Sequence, residues 1–285
     1  MSPPLEPALS GPAEAALLPL RPRWKYLALA LCAMQRLLAY RSAVFLGLLT
    51  SLMWVVIQYA LWSALFTGRE QVGAFDWPRM QTYLLLSFGV NALLSATTEQ
   101  RMFSMIRMGN VVFELARPVD YLGSQLAQAA GSAIIEGAMG ALVVTLLALT
   151  LFDAQGPVSP ALGALFLASV ALGFLIKFLI SYLVALLCFR FLNVLGLLWM
   201  RAAISNILSG ALVPLELLPE PLRTASWLLP FRGIIHTPIS LYLGLHDAAA
   251  YPLALLHQLL WVVLLWGLAR RLWAVCLRSF VIQGG

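Results

Sequence analysis

Between Ala161 and Phe189 a single charged side chain, Lys177, interrupts a run of otherwise uncharged and mostly apolar residues. About 20 such residues suffice to cross the hydrocarbon core of a bilayer as a helix. The pattern recurs in Ala43–Phe66, Met80–Thr98, Leu126–Phe152, Val194–Val213 and Pro252–Cys276. The runs at 80–98 and 194–213 are interrupted by polar side chains, and the other four are more nearly continuous. The predicted fold is therefore all-α and polytopic, with six transmembrane helices. Composition leaves little alternative, since 61% of the 285 residues are hydrophobic and 11% are charged. A soluble domain carries roughly 25% charged residues, so lipid has to cover much of this surface.

The ends of the chain and the charges between the runs set the expected topology. Residues 1–20, with Pro3, Pro4, Pro7, Pro12 and Pro19, read as a disordered cytoplasmic tail. A single membrane domain is expected over 21–285. From Trp24 to Arg41, apolar residues at steps of three and four alternate with Lys25, Arg36 and Arg41. This is the pattern of a helix lying in the interface, with a cytoplasmic extension of the first span as the alternative. With both termini inside, thirteen basic residues fall on inner segments. Only Arg69, Arg79, Arg223 and Arg232 fall on outer ones, a positive-inside bias. The net charge of +6 thus reports topology, and nucleic-acid binding is not expected. Cys32, Cys188 and Cys276 fall near inner ends, where thiols stay reduced.

The outer stretch 214–245 is too apolar for an ordinary loop. Pro214, Pro219, Pro221, Pro230 and Pro238 cut it into pieces too short to span. Re-entrant or interfacial helices are expected there, with their backbone buried in protein or lining a cavity.

Polar groups within the runs form a second layer of signal. Ser87, Asn91, Ser95 and Thr98 share one helical face, and Asn206, Ser209 and Gly210 form a similar stripe with Ala202. Such stripes mark helix contacts or a wet pathway. Ala133, Gly137 and Ala141 predict a close-packing seam. Glu136 and Lys177, at comparable depth in consecutive runs, suit an intramembrane ion pair, with a proton relay as the alternative.

Enzymatic signatures are lacking in the sequence. No Gly-x-x-x-x-Gly-Lys-Ser/Thr loop and no Gly-x-Ser-x-Gly elbow is present. His236, His246 and His257 have no zinc-protease spacing, and His246-Asp247 reads as solvated surface. No catalytic residue, metal site or cofactor of its own is predicted.

Two segments carry a family resemblance. One is Met105-Ile-Arg-Met-Gly-Asn-Val-Val-Phe-Glu-Leu-Ala-Arg-Pro-Val-Asp-Tyr-Leu122. The other is Leu208-Ser-Gly-Ala-Leu-Val-Pro-Leu-Glu-Leu-Leu-Pro219 with Leu229-Pro-Phe-Arg232. Together with Ala39–Phe66, they resemble permeases of bacterial type-2 ABC exporters, a subfamily often encoded as paired permeases beside one ATPase. The resemblance implies six spans, an interfacial N-terminal helix, re-entrant helices before the last span and a location in the bacterial cytoplasmic membrane. It implies an inner coupling loop over 99–122, with Arg101, Arg107, Gly109, Glu114, Arg117, Pro118 and Asp120 meeting a separate ABC ATPase that binds ATP and Mg2+. Spans two and five would line a path between this chain and a second permease, identical or different, surrounded by membrane lipid. Met105 departs from the family pattern, which has an acidic residue there. The expected function is export of an amphipathic or lipid-like molecule. A secondary, proton-coupled transporter using Glu136 and Lys177 is the alternative.

Overall fold

A computed structural model describes residues 22–93, 101–105, 108–115, 117–150, 152, 154–187, 195–247 and 249–278. It is built almost wholly of helices: α1 (Pro22–Ala39), α2 (Arg41–Phe66), α3 (Trp77–Ala92), α4 (Val111–Leu115) and α5 (Tyr121–Thr150), then α6 (Pro160–Leu186), α7 (Leu195–Leu208), α8 (Glu220–Leu228), α9 (His236–Leu243) and α10 (Ala250–Arg278). A two-stranded hairpin, β1 (Gln71–Val72) and β2 (Phe75–Asp76), joins α2 to α3.

Among the described residues, four helices are long and apolar enough to cross a membrane: α2, α5, α6 and α10. Their outward faces carry exposed Leu, Val and Ile side chains, such as Leu49, Val56 and Leu61 on α2 and Leu256, Leu260 and Val263 on α10. Lipid suits these surfaces and water does not. The other two expected spans are shorter. α3 has 16 residues and α7 has 14, less than the roughly 20 that cross a bilayer unaided. Helix starts follow local chemistry. Ser159 caps α6 by accepting from the Leu162 N–H at 3.2 Å, and Pro160 follows at the first turn. Asp76 caps α3 by accepting from the Arg79 N–H at 3.0 Å.

Small residues let the helices approach. A Cβ on Gly131 would collide with the Ala30 carbonyl, so α1 lies directly against α5 there, with Tyr26 beside Gly123. A Cβ on Gly137 would meet Leu93, and Gly140 faces Ala92. The packing seam thus runs Ala133, Gly137 and Gly140, while Ala141 of the sequence pattern is exposed. A step of three replaces the expected step of four, since Gly140 and not Ala141 faces Ala92. Cys32 and Cys276 are free thiols, and Cys188 lies outside the described residues.

The apolar segment after α7 folds as the prolines predict, into short pieces. These are two 3-10 turns, Leu215–Leu217 and Pro230–Gly233, with α8 and α9. This cap sits at the end of the bundle that holds the hairpin and the α5–α6 connection, where Tyr242 O accepts from the Val158 N–H at 3.4 Å. Gly73, in the hairpin turn at φ +63°, packs on Leu217 with no room for a Cβ. The cap backbone also reaches inward. The Gly233 and Ile234 carbonyls would lie 2.8 and 2.9 Å from a Cβ on Gly173, which stands about 20 Å along α6 from Pro160 at 1.5 Å per residue. Gln258 of α10, fully buried, donates to Gly233 O at 2.7 Å and Ser169 O at 3.0 Å, while Ser169 Oγ donates back to it at 2.9 Å. Irregular backbone at this depth is thereby supplied with the partners that lipid cannot give.

Candidate functional site

A cavity of about 1070 Å3 lies between the end of α1 and the helices α2, α3, α5, α6 and α7. Its walls are mostly apolar, including Leu48, Met53, Trp54, Ile57, Leu84 and Phe88. Set among them are Arg36, Gln58, Ser87, Asn91, Glu136, Lys177 and Asn206. A large apolar space with a few placed polar groups is the usual form of a small-molecule site.

Several residues singled out by sequence meet here. Ser87 and Asn91 of α3, Asn206 of α7 and both intramembrane charges, Glu136 and Lys177, line this one space. Lys177 Nζ donates to Asn91 Oδ1 at 3.4 Å, which ties one charge to the polar stripe of α3. Gln58 Nε2 donates to the Leu212 carbonyl at 3.0 Å and joins α2 to the segment after α7. Ser95 and Thr98 lie outside the described residues. Ser209 and Gly210 are absent from the lining and instead hold the cap. The Ser209 carbonyl accepts from the His236 N–H at 2.9 Å, and the Gly210 carbonyl accepts from Tyr83 Oη at 2.7 Å. Gly210 sits at φ +82°, and a Cβ there would lie 2.6 Å from Tyr83 Oη, so only glycine ends α7 in this way. Gln58 is a cavity residue without a sequence signal, and Arg36 was read only as a basic residue of the N-terminal helix.

At the opposite end, the segment 101–120 divides into anchors and an exposed tip. Arg101 donates to Gln125 at 2.6 Å and also to Gln128, and Gln125 donates to Glu114 at 2.9 Å. Burial, with Arg36 nearby, lowers the Arg101 pKa to about 10. Asp120 accepts from the Gly123 N–H at 2.8 Å and pairs with Arg270 of α10 at 2.7 Å. Tyr121 stacks on Trp273, with ring centroids 4.3 Å apart. Arg101, Glu114 and Asp120 therefore hold the loop to the bundle. Gly109, Arg117 and Pro118 are exposed, as are the apolar Met108, Val112 and Phe113, the first and last more than 70% so. Arg117 leans on Glu114 at 3.6 Å, and Arg107 lies outside the described residues. The apolar tip escaped the sequence reading, which followed charges and the Arg-Pro pair. The alternation of Val111 and Glu114 inward with Val112 and Phe113 outward was the available clue.

In the cap, Glu216, His236 and His246 come together, with one ligand atom from each lying within 4.8 Å of the others. His246, expected to be solvated, is half-buried.

Lipid-facing helices around a polar-set apolar cavity, joined to an anchored loop with an exposed apolar tip, describe an integral membrane protein of the transport class. A family model described as ABC-2 family transporter protein matches residues 52–284. The chain belongs to that family and is an ABC-2 type permease, the membrane component of an ABC transporter, for which the family implies an ABC ATPase as partner. Among curated proteins, none matches the chain.

Proposed function

We propose that this permease exports an amphipathic small molecule or lipid-like substrate, driven by ATP and Mg2+ bound in a separate ATPase subunit. The observation that carries this reading is the single cavity in which Ser87, Asn91, Glu136, Lys177 and Asn206 meet among apolar walls. Apolar surface takes the body of such a substrate, and the polar set orients its head. Export over import rests on the family resemblance. We take α3 and α7 as the second and fifth of six spans. The cap is then re-entrant, in keeping with the depth at which Gly233 meets α6.

The exposed tip of Met108, Val112, Phe113 and Arg117 is the surface offered to the ATPase, and the anchors Arg101, Glu114 and Asp120 carry its movement into α5 and α10. A second permease chain, identical or different, covers the open side of the cavity along α2 and α7. By the charge bias both termini face the cytoplasm, in the inner membrane of a bacterium. Family membership does not favour the proton-coupled alternative, and Glu136 and Lys177 serve instead to neutralise each other within the cavity.

The test is transport in proteoliposomes holding the permease with its ATPase, using amphipathic fluorescent probes. ATP-dependent movement that N91L or S87L reduces several-fold, with the complex intact, supports the reading. Unaltered movement in both variants places the path elsewhere.

A further inference from the structure

Three side chains far apart in sequence converge in the cap. Glu216 belongs to the 3-10 turn after α7, His236 opens α9, and His246 follows the left-handed Gly244 that ends it. His236 Nε2 lies 3.4 Å from Glu216 Oε1, and the two imidazole rings face edge to face with centroids 6.3 Å apart. His236 is 1% exposed. Neither Glu216 oxygen, nor His236 Nδ1, nor His246 Nε2 has a hydrogen bond. Buried polar atoms without partners are rare because each forfeits its hydration for nothing. An ion held by His236 Nε2 would give the Glu216 carboxylate and His246 a common partner, with one ligand atom from each residue.

We propose that Glu216, His236 and His246 bind one divalent transition-metal ion of the zinc class, which clips the pieces of the cap together. Two imidazoles and a carboxylate form the donor set of open three-ligand zinc sites, whose fourth position is left to water. Imidazole nitrogen selects such ions over calcium or magnesium, which prefer all-oxygen shells. With bonds near 2.0 to 2.1 Å, tetrahedral ligand atoms stand roughly 3.4 Å apart, the separation already present between His236 and Glu216. The remaining ligand atom, within 4.8 Å, has at most roughly 1.4 Å to close by side-chain rotation.

The surroundings suit this reading and also supply its rival. Arg232 is the competing cation. Its guanidinium is stacked 3.4 Å from the centroid of the Trp227 ring and makes no ion pair within 4.0 Å of Glu216. Asp247, next to His246, adds a carboxylate that favours a cation nearby. The clip would join the end of α7 to both ends of α9, and so would fasten the cap over the bundle. This inference stands apart from the transport reading, because it concerns the cap alone.

The test uses the full chain, purified in detergent behind a tag without histidine and stripped with EDTA. It is titrated with Zn2+, and with Co2+ as a spectroscopic probe. The expected result is one equivalent of Zn2+ per chain, a raised thermal midpoint and cobalt d–d absorption of a nitrogen–oxygen site. H246Q and E216Q should each weaken zinc binding at least tenfold, while H257Q binds as wild type. The half-buried H246Q carries the test alone if E216Q does not fold. Absence of a zinc-dependent shift in the wild type would overturn the proposal. So would unchanged affinity in H246Q, loss in H257Q with retention in H246Q, or an equal response to Mg2+.

Discussion

Gln258 shows how one side chain makes an irregular cap tolerable inside a helical bundle. Its amide satisfies Gly233 O and Ser169 O while accepting from the Ser169 hydroxyl. Leucine would keep the volume and strand both carbonyls, an expected loss of about 1–3 kcal/mol. Thermal unfolding in detergent should show Q258L melting well below the wild type, and an equal midpoint would show that the carbonyls find other partners. Gly173 acts on the same contact by being absent. A Cβ here would stand 2.8 Å from the Gly233 carbonyl oxygen, so G173A forces the cap outward, at a cost of about 1–3 kcal/mol. The two charges of the cavity make a third case. On the proposed pairing of Glu136 with Lys177, E136A or K177A should each impair transport, because the remaining charge loses its counterpart in an apolar wall. Exchanging them in the double variant should restore activity in part. Failure of the exchange, with both proteins folded, would mean that one of the charges handles protons or substrate by itself.

Among the elements, the segment between α3 and α5 separates most clearly into two kinds of residue. R101E and D120R break contacts to Gln125, Gln128 and Arg270, and should lower thermal stability of the isolated chain. F113D and R117E alter exposed side chains and should leave stability within about 0.5 kcal/mol, while ATP hydrolysis loses its coupling to transport. Equal effects of both kinds on stability would refute the division.

The sequence reading merged these residues into one docking surface because charge is visible in a sequence and the direction of a side chain is not. The four long helices were legible to within a few residues, since an apolar run with polar ends has few ways to fold in lipid. α7 was overdrawn at its C-terminal end: residues 209–213, read as helix, lie in turns and bends, and Gly210 at positive φ ends the helix early. For the second expected span, residues 94–98 lie outside the described residues. The cap's short pieces were legible from their prolines, whereas Glu216, His236 and His246 were not. Spacings of twenty and ten residues are too long for one turn of helix or a short strand to explain, and the fold of the cap alone brings them together.

For the molecule as a whole, the bundle has two structured ends. Here one end is a cap buried deep against α6 and α10. The other is a loop held to α5 and α10 by Arg101, Glu114 and Asp120. Between them lies a cavity that touches six helices. α10 belongs to both ends, through Gln258 at the cap and through Arg270 and Trp273 at the loop. A helix joining both ends can carry coupling only if the loop receives force from outside. The central claim is therefore that the apolar tip of the loop docks on a separate ATPase.

The most direct measurement is co-purification at native expression, with the wild-type chain and F113D each tagged at the C-terminus and extracted in mild detergent. The account predicts an ATPase with a Walker motif in stoichiometric amount with the wild type, and at least tenfold less with F113D, while both permeases are recovered equally. A wild-type chain that purifies alone, or an ATPase retained in full by F113D, would contradict it.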